Sequence, residues 1–244
     1  MSSCLTGELG KPDRDSNNDA QKLDSFLKAN PVKYVCAQYM DFMGTLRTRI
    51  LPIASFKKIV QSGSGMGISR GNTGTLQDDT LTAAANPVGQ ISMVPDMDSL
   101  SRPHTQHTTL PTRSSHVLNA ATVMCYWRQE DGSKFPLCPR TGLEDLVQEL
   151  QDYDIDLLVG FEIEVTFLQI PWSARPEENE DHLKPLTTNH AWGSLSTEDK
   201  EKAMPLLLQI VEALAEVGID VEQFHSESGQ GQYEVRMETV YVHI

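Results

Sequence analysis

Four glutamates stand where two short segments could bring them together: Glu162 and Glu164 in one, Glu227 and Glu234 in the other. A cluster of carboxylates with no clustered cysteine is a hard-oxygen donor set, suited to Mg²⁺ or Mn²⁺ rather than zinc. Ionised carboxylates that share one face repel, and they are costly near a core unless a cation meets them. The chemistry on offer is therefore that of a bound hard divalent cation.

Each segment reads as a strand. From Phe161 to Phe167 the odd positions are apolar and β-prone, with Glu162, Glu164 and Thr166 between them. That period of two gives one apolar face and one face bearing carboxylates. From Gln232 to Met237 the pattern repeats, with Tyr233, Val235 and Met237 on one side and Gln232, Glu234 and Arg236 on the other. Between Glu227 and Glu234 lies Ser228-Gly229-Gln230-Gly231, a bend that can fold the two carboxylates towards one point. Taken singly, a Glu-x-Glu strand is equally the solvated face of an antiparallel sheet.

Composition narrows the classes. The chain has 244 residues and a net charge of −14, which argues against nucleic acid or an anionic membrane as the main partner. The four cysteines, Cys4, Cys36, Cys125 and Cys138, are scattered, so neither a zinc knuckle nor a disulfide framework is expected. No apolar run has transmembrane length and the N-terminus carries no hydrophobic signal region, so a soluble, reduced, cytoplasmic setting is expected.

In chain order, residues 1–19 are polar and expected to be disordered, and Asn18 to Ala29 reads as a short helix. Val32–Tyr39 and Thr45–Leu51 form a hairpin around Asp41-Phe42-Met43-Gly44, with Arg47 and Arg49 on its return strand. A helix is expected from Ile53 to Gln61, then a glycine-rich loop from Ser62 to Asp79 with Arg70 as its working residue. That loop lacks the Lys-Ser/Thr ending of a phosphate loop, and a flap is the better reading. Strands follow at 89–96 and 122–128, and His104, His107 and His116 read as surface histidines. A helix from Pro139 to Tyr153 has Leu143, Leu146, Val147 and Leu150 on its apolar face. Residues 171–193 read as an exposed excursion. A single helix from a capping box at Ser196 and Asp199 to Val217 precedes the strand Ile219–Phe224.

The two glutamate segments together resemble the Gly-x-Glu-x-Glu and His-x-Glu…Gly-Gln-x-Glu strands of the glutamine synthetase family. Further likeness lies in Asp41-Phe42-x-Gly44 with Arg47-x-Arg49-x-Leu51-Pro52, in Gly89-Gln90…Val94-Pro95-Asp96, and in Asp131-Gly132…Cys138-Pro139-Arg140. The resemblance implies an α+β fold. Residues 1–30 would be a tail and short helix, 31–112 an N-terminal β-grasp domain, and 113–244 the first part of the catalytic domain. It implies Glu164, Glu227 and Glu234 around a first metal, Glu162 at a second, and Glu222 and His225 beside the nucleotide. Ser226 departs from the second histidine of many members. The implied cofactors are ATP with Mg²⁺ or Mn²⁺, the substrates glutamate and ammonium or an amine, and the assembly a homo-oligomer with sites between subunits. The implied reaction is ATP-dependent amide formation through a γ-glutamyl phosphate.

Two departures from the family pattern set the alternatives. The loop aspartate that aids ammonium deprotonation has no counterpart in Gly67-Ile68-Ser69-Arg70-Gly71-Asn72, which leaves open a γ-glutamyl-amine ligase or a non-catalytic regulatory or structural relative. The resemblance also stops at Thr239, ahead of the remaining second-metal ligands and the phosphate-binding arginines. A truncated chain, inactive alone, is the expectation.

Overall fold

The computed structural model describes residues 16–83, 85–102, 119–169, 183–188 and 191–242. The three histidines at 104, 107 and 116, Cys4, the first fifteen residues and most of the excursion lie outside those residues. The chain forms two compact units that divide between Asp154 and Ile155.

The first unit is a five-stranded sheet carrying helices. Its elements are α1 (Ser16–Ala29), β1 (Tyr34–Met40), β2 (Leu46–Pro52), α2 (Ile53–Ser62), β3 (Met66–Ser69), β4 (Gln90–Pro95), β5 (Ala120–Arg128) and α3 (Pro139–Gln151). The strand order is β2-β1-β5-β4-β3, with β1 and β5 parallel and the other neighbours antiparallel. The compact units divide after α3, and β5, which lies beyond the domain boundary expected at 112/113, pairs with both β1 and β4 at the centre of this sheet. A parallel partner far along the chain has no local sequence signal.

Central strands buried on both faces read as near-continuous apolar runs. β5 fits fully on one face, where Ala121, Val123, Cys125 and Trp127 are almost wholly buried, and in part on the other, where Ala120 and Tyr126 are buried and Thr122 and Met124 half-buried. Leu23 from α1 and Phe56 and Val60 from α2 join Val35, Ala37 and Ile91 in one core cluster. Tyr39, Phe42 and Phe135 set their rings edge-on around Trp127 at 5.4–6.2 Å.

The hairpin turn is organised by Asp41. Its carboxylate accepts from the Met43 and Thr45 N–H groups at 3.0 and 2.9 Å and pairs with Arg47 Nε at 2.7 Å. Burial pushes this carboxyl up, but the hydrogen bonds from Arg47, Thr45 and Met43 together hold it below the ordinary value. Arg47, on the return strand of the hairpin, is thus the partner of a buried aspartate. Arg49 Nη1 donates to Gly67 O at 2.9 Å, although β2 and β3 stand at opposite sheet edges. Four strand spacings would separate flat edges by roughly 19 Å, so the sheet is strongly curled.

The stretch expected as a loop over 62–79 contains β3 and a 3₁₀ turn at Arg70–Gly74. Its glycines serve close packing: a Cβ on Gly67 would meet the Gln90 side chain at 2.6 Å, and one on Gly65 would meet Met93 O at 2.8 Å. Arg70 is exposed and stacks its guanidinium over Phe135 at 5.5 Å. On α3, Val147 is buried but Leu143 and Leu146 are 52% and 60% exposed, so the expected apolar stripe is only partly covered.

The second unit, from Ile155, contains β6 (Leu158–Val159), β7 (Glu162–Thr166), β8 (Leu168–Gln169), β9 (Lys184–Pro185), α4 (Thr197–Lys202), α5 (Met204–Glu216), β10 (Val221–Ser226), β11 (Gln232–Met237) and β12 (Val240–Tyr241). A three-stranded antiparallel sheet has the order β10-β11-β7, and two short ladders join β12 to β6 and β8 to β9. The single helix expected over 196–217 is two, broken at Ala203. Pro205 has no N–H to continue the ladder and opens α5 as a first-turn residue. Ala203, Leu207, Tyr233 and Val235 form its core. The apolar face expected on β7 is not covered in the same way, since Phe161 is 61% and Ile163 47% exposed. Among the described residues, no helix is long and apolar enough to cross a membrane.

Candidate metal centre

Residues directly opposite each other in an antiparallel pair share a face, so register places the polar groups. β11 pairs with β7 through Glu234↔Glu164 and Arg236↔Glu162, and with β10 through His225↔Glu234 and Gln223↔Arg236. Glu164, Glu234 and His225 therefore form one row across the sheet. Glu162 and Arg236 begin the next. A register shift between Val221 and Gln223 marks a bulge at Glu222. A bulge sets an extra side chain beside its neighbour on one face. Tyr233 and Val235 point the other way into the core, as the alternation in sequence predicts.

Glu227 follows β10 in the tight return to β11. Its N–H donates to Gln232 O at 2.8 Å, and the Gln232 N–H donates to Gly229 O at 3.1 Å. Gly231 has φ +68°, and a Cβ there would lie 2.8 Å from Phe167 O. Both the left-handed backbone and the close approach require glycine. Gly231→Ala is expected to lower stability by about 2 kcal/mol or more and to weaken metal uptake, since the same bend sets Glu227 against Glu234. Urea unfolding and a Mn²⁺ titration of the variant check this; an unchanged midpoint would refute it.

The outcome is a convergence of three ligand-bearing side chains. One ligand atom each of His225, Glu227 and Glu234 lie within 4.8 Å of one another. His225 Nε2 is 3.7 Å from Glu234 Oε1, and Glu234 is only 9% exposed. Glu227 accepts from Trp192 Nε1 at 3.2 Å and from the Ser228 N–H at 2.9 Å, which fixes its orientation. Two carboxylates and an imidazole at this spacing fit one divalent cation, with Mn²⁺ more tolerant of the nitrogen donor than Mg²⁺.

The other anticipated residues are placed differently. Glu164 stands opposite Glu234, but its carboxylate accepts from Gln232 Nε2 at 2.8 Å and lies outside the three-residue cluster. His225, expected beside the nucleotide, lies within the cluster. Glu162 and Glu222 both face Arg236 Nε, at 3.7 and 3.2 Å.

Behind β11 lies a buried network that position in sequence did not announce. Asp199 closes the predicted capping box with Ser196, accepting from its N–H at 2.8 Å and its hydroxyl at 2.7 Å. It also accepts from Tyr233 Oη at 2.6 Å, and Thr187 Oγ1 lies 2.7 Å from the same phenol oxygen. With the phenol proton given to Asp199, Thr187 donates to Tyr233. Burial pushes the Tyr233 phenol up to about 12, with Asp199 adding to the rise. Burial alone would raise the Asp199 carboxyl, but the bonds from Tyr233 and Ser196 outweigh it and hold it below its ordinary value. The network ties α4 to the strand that carries Glu234. Ser196-x-x-Asp199 was visible as a cap, whereas its link to Tyr233 spans 34 residues.

Residues 136–242 match the family model of the glutamine synthetase catalytic domain, an interval that contains the whole cluster. Those residues belong to the glutamine synthetase family. The chain is 37% identical over 214 residues to protein fluG of Emericella nidulans, a match covering 87% of the chain and 23% of that protein. It is 27% identical to the gamma-glutamylpolyamine synthetase of Streptomyces coelicolor, covering 88% of the chain and 42% of that protein. The crystal structure of a novel glutamine synthase homolog superposes with a TM-score of 0.65 at 24% identity, covering 87% of this chain and 45% of that one. That likeness shows a shared mixed αβ fold. The chain spans less than half the length of each of these proteins.

Proposed function

We propose that this sequence forms part of a glutamate–ammonia ligase that makes glutamine with ATP. The observation that carries the reading is the convergence of His225, Glu227 and Glu234 on one face of a glutamine synthetase-type sheet. In this reading the γ-carboxylate of glutamate attacks the terminal phosphorus of ATP, giving γ-glutamyl phosphate and ADP. Ammonia then attacks the acyl carbon, and phosphate leaves as the amide forms and a proton is released. A bound divalent cation would supply positive charge beside the reacting anions. Glu227, Glu234 and His225 would hold that cation, with Glu164 opposite Glu234 in the same row. Glu222 lies on the nucleotide side. Asp199 and Tyr233 keep β11 in register beneath them.

Residues 31–112, which supply four of the five strands of the first unit's sheet, are read as the β-grasp domain. The sheet order, with the parallel β1–β5 pair at the centre and α1 and α2 packed on one side, supports this. The exposed apolar residues Phe161 and Ile163 are consistent with sites shared in a homo-oligomer. The setting proposed is cytoplasmic.

The test measures ADP and product from the native polypeptide bearing this sequence, with ATP, glutamate and Mn²⁺, offering ammonium, methylamine or a polyamine in turn. Glutamine formed with ammonium is the expected result. Turnover with an amine alone would replace the reading by a γ-glutamyl-amine ligase. No turnover with any acceptor, alongside intact Mn²⁺ uptake, would make the protein a non-catalytic relative.

A further inference from the structure

The sheet's polar face carries two groups of acidic side chains, and they differ in what neutralises them. His225, Glu227 and Glu234 converge, and among the described residues no Arg or Lys forms an ion pair with the two carboxylates. Glu162 and Glu222 converge on a guanidinium. Arg236 is the direct cross-strand partner of Glu162, and the bulge turns Glu222 onto the same residue. Its Nε is 3.2 Å from Glu222 Oε2 and 3.7 Å from Glu162 Oε1. We propose that Arg236 is a built-in cation in the second acidic group, so that this face takes one divalent ion where the family resemblance implies two.

Three physical points support this. A guanidinium stays charged at any pH the protein survives, so it cannot be switched off to admit a metal. A divalent ion between Glu162 and Glu222 would sit within a few ångströms of that charge. Like-charge repulsion there persists through water and is several-fold stronger at a protein surface. Arg236 is also fixed in place, as the direct cross-strand partner of Glu162 on β11. With Arg236 side chain 39% exposed and the carboxylates about half exposed, the pairing adds little stability, and its effect is on what can bind.

The inference rests on the reading that Glu162 belongs to a second-cation position, and the experiment separates the two. Mn²⁺ is titrated into metal-free protein, with bound and free ion counted by electron paramagnetic resonance and heats by calorimetry. The wild type is expected to bind one Mn²⁺. Arg236→Ala is expected to bind a second, weaker one, which disappears again in Arg236→Ala/Glu162→Gln. Arg236→Lys, which keeps the charge, should stay at one, and circular dichroism checks that each variant is folded. Two ions in the wild type, or one in Arg236→Ala, would overturn the proposal while the His225 site stands. No ion in the wild type would remove the first-site reading, and Arg236→Ala would still decide the role of Arg236 by whether it gains one.

Discussion

Glu234→Gln is expected to raise the Mn²⁺ dissociation constant by about 100-fold, equivalent to about 2.7 kcal/mol. The substitution keeps shape and volume and removes one negative charge from the least exposed ligand of the cluster. Glu234 also sits at the centre of the row, opposite both Glu164 and His225. Its loss leaves His225 and Glu227 as a two-ligand remnant, too poor to hold a hard cation at micromolar concentration. Glu201→Gln on α4 makes the control, since it removes the same charge from an exposed position away from the cluster. If Mn²⁺ bound Glu234→Gln as tightly as wild type, the centre would have to lie elsewhere. A general electrostatic effect of the acidic surface would instead weaken both variants alike and would fade with added salt.

What the sequence made legible were features set by local pattern. The period of two in Gln232–Met237 placed Glu234 opposite the core side, and the structure buries Tyr233 and Val235 accordingly. The glycines at 229 and 231 announced the bend that joins Glu227 to Glu234. Features set by pairing across distance were not legible. The bulge at Glu222 depends on how β10 registers against β11, and it turns that glutamate towards Arg236. The choice of His225 over Glu164 within the cluster depends on Gln232, whose amide spans the bend from Gly229 to Glu164. The exposed Phe161 and Ile163 make the same point about burial. Alternation predicts which side chains share a face, but what covers that face is decided by other parts of a fold.

Asp199→Ala is expected to destabilise the second unit by about 3 kcal/mol. Roughly 1 kcal/mol comes from the lost cap on α4 and about 1–3 kcal/mol from the Tyr233 hydroxyl left without its buried acceptor. The residue is wholly buried and accepts three hydrogen bonds, so water cannot replace what is removed. The pH dependence follows from the direction of its shift. The folded carboxyl lies below its unfolded value of 3.8, so its stabilisation is complete above that value and is lost as pH falls through the folded one. Urea midpoints of wild type and Asp199→Asn, taken from pH 6 downwards, should therefore converge in the acid range, because the amide has no proton to bind. Parallel curves would mean that Asp199 is not held ionised by Tyr233 and Ser196. Tyr233→Phe isolates one arm of the network. It removes the phenol but leaves the capping box, so it should keep most of the helix contribution while losing the tie between α4 and the strand that carries Glu234.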